Sequence, residues 1–455
     1  MSEGASNFLF SRIEEYGDRI ALIAGGKEWS YRELGNRVEK ARGFLRAREE
    51  KVFLVGPDYG VDTIALLLAG IGSGKILAPV ATLNEKELGT MAGASGADAL
   101  INGDLGIDAR AVVKFPAVDG ETKPPLVSDL LGRGSSGLIL FSSGITGKPK
   151  AMLHDFEKFI ESYRDRKERA VPILLFLLFD HIGGLNTLFG SLASGMTLVA
   201  PPDRDPETIA KLVEEHRVRI LPATPSFLNL LLLAEIPGRY QLNSLRIITY
   251  GAEAMQPGLL DRIKRAFPKV RLIQTFGTSE TGIARTAPRN DTFLRLDDPN
   301  LETKIVDGEL WLRSGSQVLG YLNESNERFT EEGWFRTGDA VTVERDGSIR
   351  FVGRKKEMIN VGGEKVYPGE VEAALLKMPE VGACRAFGVP NAILGQAVAV
   401  ELIPLGEINP SELRSRVRKY ARGALSRYKI PVDIRIVDEI SINSRGKRVT
   451  GAPLK

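Results

Sequence analysis

Phe141-Ser142-Ser143-Gly144-Ile145-Thr146-Gly147-Lys148-Pro149-Lys150 is the stretch from which the rest of the chain is interpreted. It follows a short apolar run, Gly137–Leu140, that predicts a buried strand. Glycines let backbone N–H groups approach an anion closely, and hydroxyl and ammonium groups add donors and positive charge. The stretch therefore predicts a loop that binds a polyphosphate, with a flexible surface turn as the simpler alternative. It is not a Walker A loop, because Gly144 and Gly147 are too close together and Pro149 follows the lysine.

The charge of the chain is balanced overall but uneven along its length. Its 455 residues, enough for two or three domains, include 61 basic and 58 acidic side chains. From Gly353 to the end, 18 Lys and Arg stand against 11 Asp and Glu, a net charge of +7; since the whole chain is +3, the first 352 residues carry −4. A basic terminal region could bind nucleic acid or a small anion, and the lack of interleaved aromatic residues favours the small anion.

Cysteine content and apolar runs predict a soluble, cytoplasmic protein without a nucleic-acid or integral-membrane partner. Cys384 is the only cysteine, so no internal disulfide can form, and it lies in an apolar run typical of a core. The first seven residues lack the basic and apolar regions of a secretory signal. The apolar run Ala170–Phe179 is too short to span a bilayer. Three scattered histidines are too few for a His-based metal site: His154, His181 and His216.

The middle of the chain alternates between predicted strands and helices. This alternation indicates an α/β fold with a mostly parallel sheet covered by helices on both faces. The predicted strands are Thr197–Val199, Arg219–Leu221, Leu245–Tyr250 and Val270–Phe276, and a helix is predicted over Pro206–Glu215.

Three polar, glycine-containing loops each follow a predicted strand, at residues 142–150, 251–253 and 277–281. Ligands of parallel α/β sheets bind at the carboxyl ends of the strands. We therefore expect the three loops to open at the same edge of the sheet.

Local signals are clear near the N-terminus. Ile20–Ile23 and Glu28–Ser30 predict a hairpin, and Ser30 with Glu33 predicts a capping box for a helix that ends near Arg46. The run Gly70–Lys75 resembles a nucleotide-binding loop, but it is one residue too short for a Walker loop and follows a predicted helix. A helix-ending turn is the prediction there.

The pattern changes near Asn300. Turns at Val306–Glu309 and Glu344–Gly347 lie between alternating strands and predict a small antiparallel module. Beyond it, Val371, Leu375 and Met378 predict one helix, and Asn409 caps another that begins at Pro410. The expected organisation is a large α/β domain, residues 1–352, and a small α+β domain, residues 353–455.

Five motifs in this order resemble the adenylate-forming superfamily, and most closely its AMP-forming acyl-CoA ligase branch. The resemblance runs through nearly the whole chain and is weakest over the first 120 residues. The motifs are Ser142–Lys150, Thr275–Thr281, Trp334–Asp339, Gly353–Glu372 and Ser444–Lys447.

The resemblance implies a two-step reaction. A carboxylate attacks the α-phosphate of ATP to give an acyl-adenylate and pyrophosphate, and the thiol of coenzyme A then displaces AMP to form a thioester. Mg²⁺ is the expected metal, because the charge on the transferring group must be stabilised in advance. Two alternatives stay open: an acyl-AMP ligase that loads the phosphopantetheine of an acyl carrier protein, and a non-catalytic nucleotide-binding protein. The carboxylic acid and the oligomeric state are not predicted.

By matching position, the resemblance also implies a role for each motif residue. The β- and γ-phosphates would be bound by Ser142, Ser143, Gly144, Thr146, Gly147 and Lys148. Ser279 would contact the α-phosphate, and Glu280 would hold Mg²⁺.

The nucleoside would be bound by two further groups of residues. The adenine would be framed by Gly251, Ala252 and Glu253 and would stack on Phe276, which has Thr275 and Gly277 on either side. Asp339 would accept hydrogen bonds from the ribose hydroxyls, assisted by Arg354.

The C-terminal motifs imply a mobile lid. Lys447 would be the adenylation lysine, a compact mobile charge suited to a group that comes and goes; its alternative is a solvated loop lysine. Lys356 matches the hinge about which the small domain would rotate between the two steps. The second orientation would bring Gly362 and Gly363 beside the pantetheine tunnel.

Some positions depart from the family pattern. Ile145 removes a hydroxyl donor, and Ala151 stands where glycine is common. In Phe179–Gly184, one alignment matches His181 to the group that borders the acyl pocket. The other makes Asp180 an acid that binds a substrate ammonium. The residues that follow favour His181 and a substrate without an amino group, and a purely structural His181 remains the alternative.

Overall fold

The computed structural model describes residues 7–102, 112–115, 123–143, 149–251, 253, 255, 257–287, 293–438 and 440. Elements are numbered in chain order. The helices are α1 (Asn7–Tyr16), α2 (Tyr31–Arg46), α3 (Val61–Gly70), α4 (Glu85–Ser95), α5 (Pro125–Gly132), α6 (Phe156–Glu161), α7 (Ile182–Ala193), α8 (Pro206–Glu215), α9 (Pro225–Leu233), α10 (Ile236–Arg239), α11 (Pro257–Ala266), α12 (Pro368–Leu375) and α13 (Pro410–Ala424).

Two seven-stranded sheets hold the larger part of the chain. Their strands are β1 (Ile20–Ala24), β2 (Lys27–Ser30), β3 (Val52–Gly56), β4 (Ile76–Pro79), β5 (Ala99–Asn102), β6 (Val112–Lys114), β7 (Gly137–Ser143), β8 (Pro149–Asp155), β9 (Pro172–Leu174), β10 (Thr197–Val199), β11 (Ile220–Ala223), β12 (Ile247–Tyr250), β13 (Arg271–Gln274) and β20 (Gly320–Tyr321). One sheet has the order β13-β12-β11-β9-β10-β1-β2 and the other β20-β8-β7-β4-β3-β5-β6. The first is parallel except for its edge strand β2, and the second is mixed.

Smaller sheets follow in the chain. Their strands are β14 (Phe276–Thr278), β15 (Gly282–Ala284), β16 (Thr286–Ala287), β17 (Arg295–Leu296), β18 (Leu301–Val306), β19 (Glu309–Ser314), β21 (Phe335–Val343), β22 (Ile349–Arg354), β23 (Ile359–Val361), β24 (Glu364–Val366), β25 (Val381–Asn391), β26 (Gly395–Pro404) and β27 (Asp433–Ile436). Strands β18, β19, β21 and β22 form the expected antiparallel module, and β23 to β27 form a separate five-stranded sheet.

Several local predictions are confirmed. The capping box is present at the start of α2, where the Ser30 side chain accepts from the N–H of Glu33 and the Glu33 carboxylate accepts from that of Ser30. Asn409 caps α13 through its side chain. The Gly70–Lys75 run is a turn after α3, and Lys75 is buried with its Nζ donating to the carbonyls of Arg48 and Glu50. That lysine is therefore structural.

Two predicted boundaries are wrong. The run Val270–Phe276 is not one strand, because β13 ends at Gln274 and β14 begins at Phe276 in a separate hairpin. The helix through Val371 ends at Leu375, and Met378 packs into the core from the following turn.

The expectation that the three polar loops share one sheet edge is also wrong. Strand β7, which leads into residues 142–150, belongs to the second large sheet, whereas β12, which leads into 251–253, belongs to the first. The 277–281 segment lies on the β14–β15 hairpin, outside both sheets. Any convergence of these loops must therefore arise from packing between sheets.

One apolar core combines residues of both large sheets, each of these sheets has a further core of its own, and separate cores lie in the antiparallel module and the C-terminal sheet. The C-terminal core combines residues of β23 to β27, α12 and α13, with Cys384 fully buried in it. Within the described ranges, no helix is long and apolar enough to cross a membrane.

Candidate active site

The carboxylate of Glu280 is held in place by a tyrosine. Glu280 lies in the turn between β14 and β15, and the hydroxyl of Tyr321 donates to its Oε1 at 2.7 Å. The Glu280 carbonyl also accepts from the N–H of Val318 at 2.8 Å. Both the main chain and the side chain of this acid are thus fixed by the segment around β20.

Tyr321 also connects Glu280 to the glycine-rich segment. Strand β20 pairs with β8, the strand that leaves this segment, with Tyr321 opposite Met152. The Nζ of Lys150 lies 5.4 Å from the centroid of the Tyr321 ring and pairs with Glu324. Ser142 lies opposite Lys150 and Ser143 opposite Pro149 in the β7–β8 pair. The two ends of the glycine-rich segment and Glu280 therefore lie in one region; Gly144, Thr146, Gly147 and Lys148 lie outside the described residues.

Asp339 is a buried carboxylate next to an arginine. Its Oδ1 lies 2.9 Å from Nε of Arg354, whose Nη1 donates to the carbonyl of Thr337 at 2.8 Å. Burial raises the pKa of Asp339 to about 6, against the opposing effect of Arg354 and Arg328, and the negative charge of Glu280 raises it further. Asp339 and Glu280 thus share one electrostatic environment.

Four cations lie in this region: Arg354 and Arg328 beside Asp339, Lys150 over the Tyr321 ring, and Lys356, whose pKa responds to the other three. Burial lowers the pKa of Lys356 against the opposing effect of Glu357, and the positive charges of Arg354, Arg328 and Lys150 lower it further. Arg328 donates to the carbonyls of Arg336 and Thr337 and so braces the segment that presents Asp339. Positive charge that is positioned in advance suits a triphosphate.

A second group of predicted residues lies at the ends of β12 and β13. A Cβ on Gly251 would lie 2.4 Å from Oγ1 of Thr275, so only glycine fits where the two segments touch. The Thr275 hydroxyl donates to the carbonyl of Tyr250 at 3.2 Å. Glu253 accepts from the hydroxyl of Ser226 at 2.5 Å and from its N–H at 3.1 Å. Ala252 lies outside the described residues.

The β14–β15 hairpin is braced from both sides. The ring of Phe276 stacks on Phe351 with centroids 4.8 Å apart, so an adenine could use only its other face. A Cβ on Gly277 would lie 2.5 Å from the carbonyl oxygen of Gly282, which requires glycine there. Nε2–H of His154 donates to the carbonyl of Ser279 at 2.9 Å, and burial lowers the pKa of His154 to about 4. A neutral His154 therefore positions the Ser279–Glu280 turn.

His181 caps helix α7. Its Nδ1 accepts from the N–H of Gly183 at 3.1 Å, so a neutral ring carries its proton on Nε2. The neighbouring Asp180 is only 4% exposed, whereas His181 is partly exposed. This difference favours His181 over Asp180 as the side chain that meets a substrate.

Gly362 and Gly363 join two strands of the C-terminal sheet. They form the turn between β23 and β24 with φ of 60° and 95°. The N–H of Gly362 donates to the carbonyl of Leu394, and a Cβ on Gly363 would meet nothing within 4 Å. The contact of this turn is thus with the turn between β25 and β26 of its own sheet. Lys447 lies outside the described residues.

Sequence reasoning missed Tyr321, Arg328 and His154. Tyr321 binds a side chain 41 positions away, and Arg328 and His154 bind main-chain carbonyls. No local motif therefore indicated these three residues. Among the described residues, no group of three or more His, Cys, Asp or Glu could hold a metal ion. One carboxylate together with phosphate oxygens is a usual arrangement for Mg²⁺, and Glu280 fits it.

Comparison with known proteins gives a consistent result. A family model described as AMP-binding enzyme matches residues 9–322, and one described as AMP-binding enzyme C-terminal domain matches residues 370–447. The 2-succinylbenzoate–CoA ligase of Bacillus licheniformis is 26% identical, over 97% of this chain and 98% of the ligase. The 4-coumarate–CoA ligase-like 2 protein of Arabidopsis thaliana is 28% identical over 72% of this chain, which spans 63% of that relative.

A solved structure confirms the fold. The o-succinylbenzoate CoA synthetase of Bacillus subtilis, in complex with its acyl-adenylate intermediate, superimposes with a TM-score of 0.78. It is 22% identical, and the match covers 97% of this chain and 96% of the synthetase.

Proposed function

Because the chain belongs to the AMP-binding enzyme family of adenylate-forming enzymes, we propose that it is an AMP-forming acid–thiol ligase. It would activate a carboxylic acid with ATP and transfer the acyl group to coenzyme A. The observation on which this depends is the convergence of Glu280 and Asp339 with four cations beside the glycine-rich segment. A carboxylate is a poor acyl donor, and adenylation supplies its leaving group.

In the first step, a substrate carboxylate oxygen bonds to the α-phosphorus of ATP while the bond to the pyrophosphate oxygen breaks. Lys150 and the donors of the glycine-rich segment, Ser142 to Lys148, would bind the β- and γ-phosphates. Glu280 would hold Mg²⁺, which when bound stabilises the charge of the phosphate oxygens. Ser279 would contact the α-phosphate, and His154 and Tyr321 keep its turn in position.

The nucleoside would be bound by Asp339 and the ends of β12 and β13. The Asp339 carboxylate would accept from the ribose hydroxyls, with Arg354 orienting it from 2.9 Å. Gly251, Ala252 and Glu253 would frame the adenine, and Phe276 would offer the ring face opposite Phe351.

We propose that the C-terminal region, residues 353–455, is a separate, rotating domain with its hinge near Lys356; since Gly353 and Arg354 pair with β21 at the end of β22, the rotation would occur beyond them. Its apolar core contains only residues from 359 onward. Lys355 pairs with Glu309 of the antiparallel module at 3.0 Å, and a Cβ on Gly353 would touch the Tyr367 ring. Lys447 would enter the site for adenylation. Rotation would then bring Gly362 and Gly363 to the path of the thiol.

In the second step, the thiol sulfur of coenzyme A bonds to the acyl carbon and AMP leaves. The test of both steps is a screen for pyrophosphate release with fatty acids, amino acids, 4-coumarate and 2-succinylbenzoate, followed by AMP release with coenzyme A or with a phosphopantetheinylated carrier protein. Release of pyrophosphate that depends on an acid supports the proposal, and its absence with every acid contradicts it. Turnover with the carrier protein alone would support the acyl-AMP ligase alternative.

Replacing Tyr321 by Phe should weaken the Mg²⁺ site. The change removes one hydrogen bond to the Glu280 carboxylate and keeps the ring. Such a bond is worth about 1.5 kcal/mol, so we expect the Mg²⁺ concentration for half-maximal adenylation to rise about tenfold. Tyr428→Phe, in the C-terminal region, is the control. An unchanged Mg²⁺ requirement in Tyr321→Phe would contradict the role of this tyrosine.

Binding of the nucleoside should depend on pH through Asp339. Only the ionised carboxylate accepts from both ribose hydroxyls, and the raised pKa of about 6 means that it protonates as the pH falls below 6. The dissociation constant of adenosine should therefore rise about tenfold from pH 7 to pH 5. Adenosine, measured by calorimetry, avoids titration of a phosphate. Asp339→Asn should bind weakly at every pH; a pH dependence that persists in this variant would exclude Asp339 as its source.

A further inference from the structure

A polar cavity lies next to the site, behind the β14–β15 hairpin. Its volume is about 40 Å³, which is room for about three water molecules or one small polar group. Residues 281–284, which directly follow Glu280, form one wall, and α6, α7 and the segments near residues 298 and 314 form the others. Asn186 of α7 lines it five residues after His181, which is about 7.5 Å along the helix axis. The cavity thus lies beside the residues that follow Glu280 and beside helix α7, which His181 caps.

The charges around this cavity are predominantly positive. Arg166 and Arg285 line it together with one acid, Asp298. Both oxygens of Asp298 accept main-chain N–H groups, from Arg285 at 2.8 Å and from Asn300 at 3.0 Å. The carboxylate is therefore engaged by the backbone, and two guanidinium groups oppose a single negative charge.

Arg166 is the residue that indicates a ligand. Its Nε is buried and makes no hydrogen bond to any described residue. Its guanidinium carbon lies 5.9 Å from the centroid of the Tyr163 ring, and its main-chain carbonyl accepts from Arg12 at 3.0 Å. Burial lowers the pKa of Arg166, and the charge of Arg285 lowers it too, whereas Tyr163 and Asp298 act in the opposite direction; an arginine stays protonated in proteins. A buried guanidinium N–H without a hydrogen-bond acceptor is costly, and a carboxylate is the group that matches the geometry of a guanidinium.

The following inference rests on the proposed function. We propose that this cavity binds an anionic group at the end of the acid substrate away from the activated carboxylate, through Arg166 with Arg285 beside it. The substrate would be a short dicarboxylic acid, or an acid with an equivalent anionic group, and not a fatty acid. The lining supports this assignment, because an alkyl chain would leave the buried Nε of Arg166 without a hydrogen-bond acceptor.

The test compares dicarboxylic acids with their monoamides, which have the same shape but lack the second charge. Binding of each to the full chain is measured by calorimetry, and pyrophosphate release is measured in parallel. We expect wild-type protein to bind at least one dicarboxylate about tenfold or more tightly than its monoamide. Arg166→Gln should bind the dicarboxylate and its monoamide with equal affinity, and Arg166→Lys should keep part of the preference for the dicarboxylate. Arg164→Gln, an exposed arginine that pairs with Glu161, should keep it.

Each other outcome overturns the inference. Equal binding of acid and monoamide by wild-type protein, no binding of any dicarboxylate, or an unchanged ratio in Arg166→Gln would do so. A phosphate of coenzyme A is the other anion that the cavity could bind. If Arg166→Gln slows thioester formation with coenzyme A but not with phosphate-free pantetheine, the cavity binds that phosphate, and the inference about the acid is wrong. Pyrophosphate release with monocarboxylic acids alone would leave the proposed function standing, whereas no release with any acid would contradict that function separately.

Discussion

Replacing Lys447 by Ala should reduce adenylation by about 10³-fold while thioester formation from a preformed acyl-adenylate survives. In the proposed cycle this lysine stabilises charge on the α-phosphate only in the first step, and positioned donors in such sites contribute 10²–10³-fold or more. The measurement is pyrophosphate release from ATP and acid, alongside thioester formation from a synthetic acyl-adenylate and coenzyme A.

A matched control is Arg448→Ala, which removes the neighbouring positive charge. If the effect is specific to the Lys447 side chain, Arg448→Ala should carry out adenylation and thioester formation at the rates of the unmodified protein. Equal losses in both half-reactions of Lys447→Ala would contradict the rotating domain, since a lysine needed in one orientation only should spare the other. Equal losses in the two variants would indicate a general effect of charge.

The second large effect is expected for Glu280→Gln, which should slow adenylation by about 10²–10³-fold and raise the Mg²⁺ requirement. The substitution keeps the size of the side chain and the hydrogen bond from Tyr321 but removes the charge that holds the metal. Pyrophosphate release over a Mg²⁺ titration measures both changes.

Glu302→Gln is the control for this prediction. Glu302 pairs with Arg313 at 2.5 Å on the surface of the antiparallel module. Its substitution should leave the rate and the Mg²⁺ requirement as in the unmodified protein. A Glu280→Gln enzyme whose Mg²⁺ requirement does not change would place the metal elsewhere.

Local structure was predictable where the signal lies within a few residues. Helix α8 begins at Pro206 and ends at Glu215 as predicted, because Asp205 caps it and proline fits the first position. The hairpin of β1 and β2 and the capping box of α2 were predictable for the same reason. Glu280 and Asp339 were found through motifs, and the structure brings them into one electrostatic environment.

Long-range pairing was not predictable from the local pattern. The sequence cannot indicate that β7 and β12 belong to different sheets, since strand partners are chosen by packing between distant segments. Thr275, at the break between β13 and β14, lies against Gly251, which is 24 positions earlier. His154 binds a carbonyl 125 positions away, and Tyr321 binds an acid 41 positions away. Arg166 lies in no motif, and only the cavity reveals it.

The proposal that Asp339 and the Ser279–Glu280 turn hold the nucleotide is tested most directly by a crystal structure of the protein with AMP. We predict that both ribose hydroxyls lie within about 3.2 Å of the Asp339 carboxylate and that the phosphate lies beside the Ser279–Glu280 turn. AMP bound elsewhere on the chain, with Asp339 contacting only Arg354, would contradict the proposal.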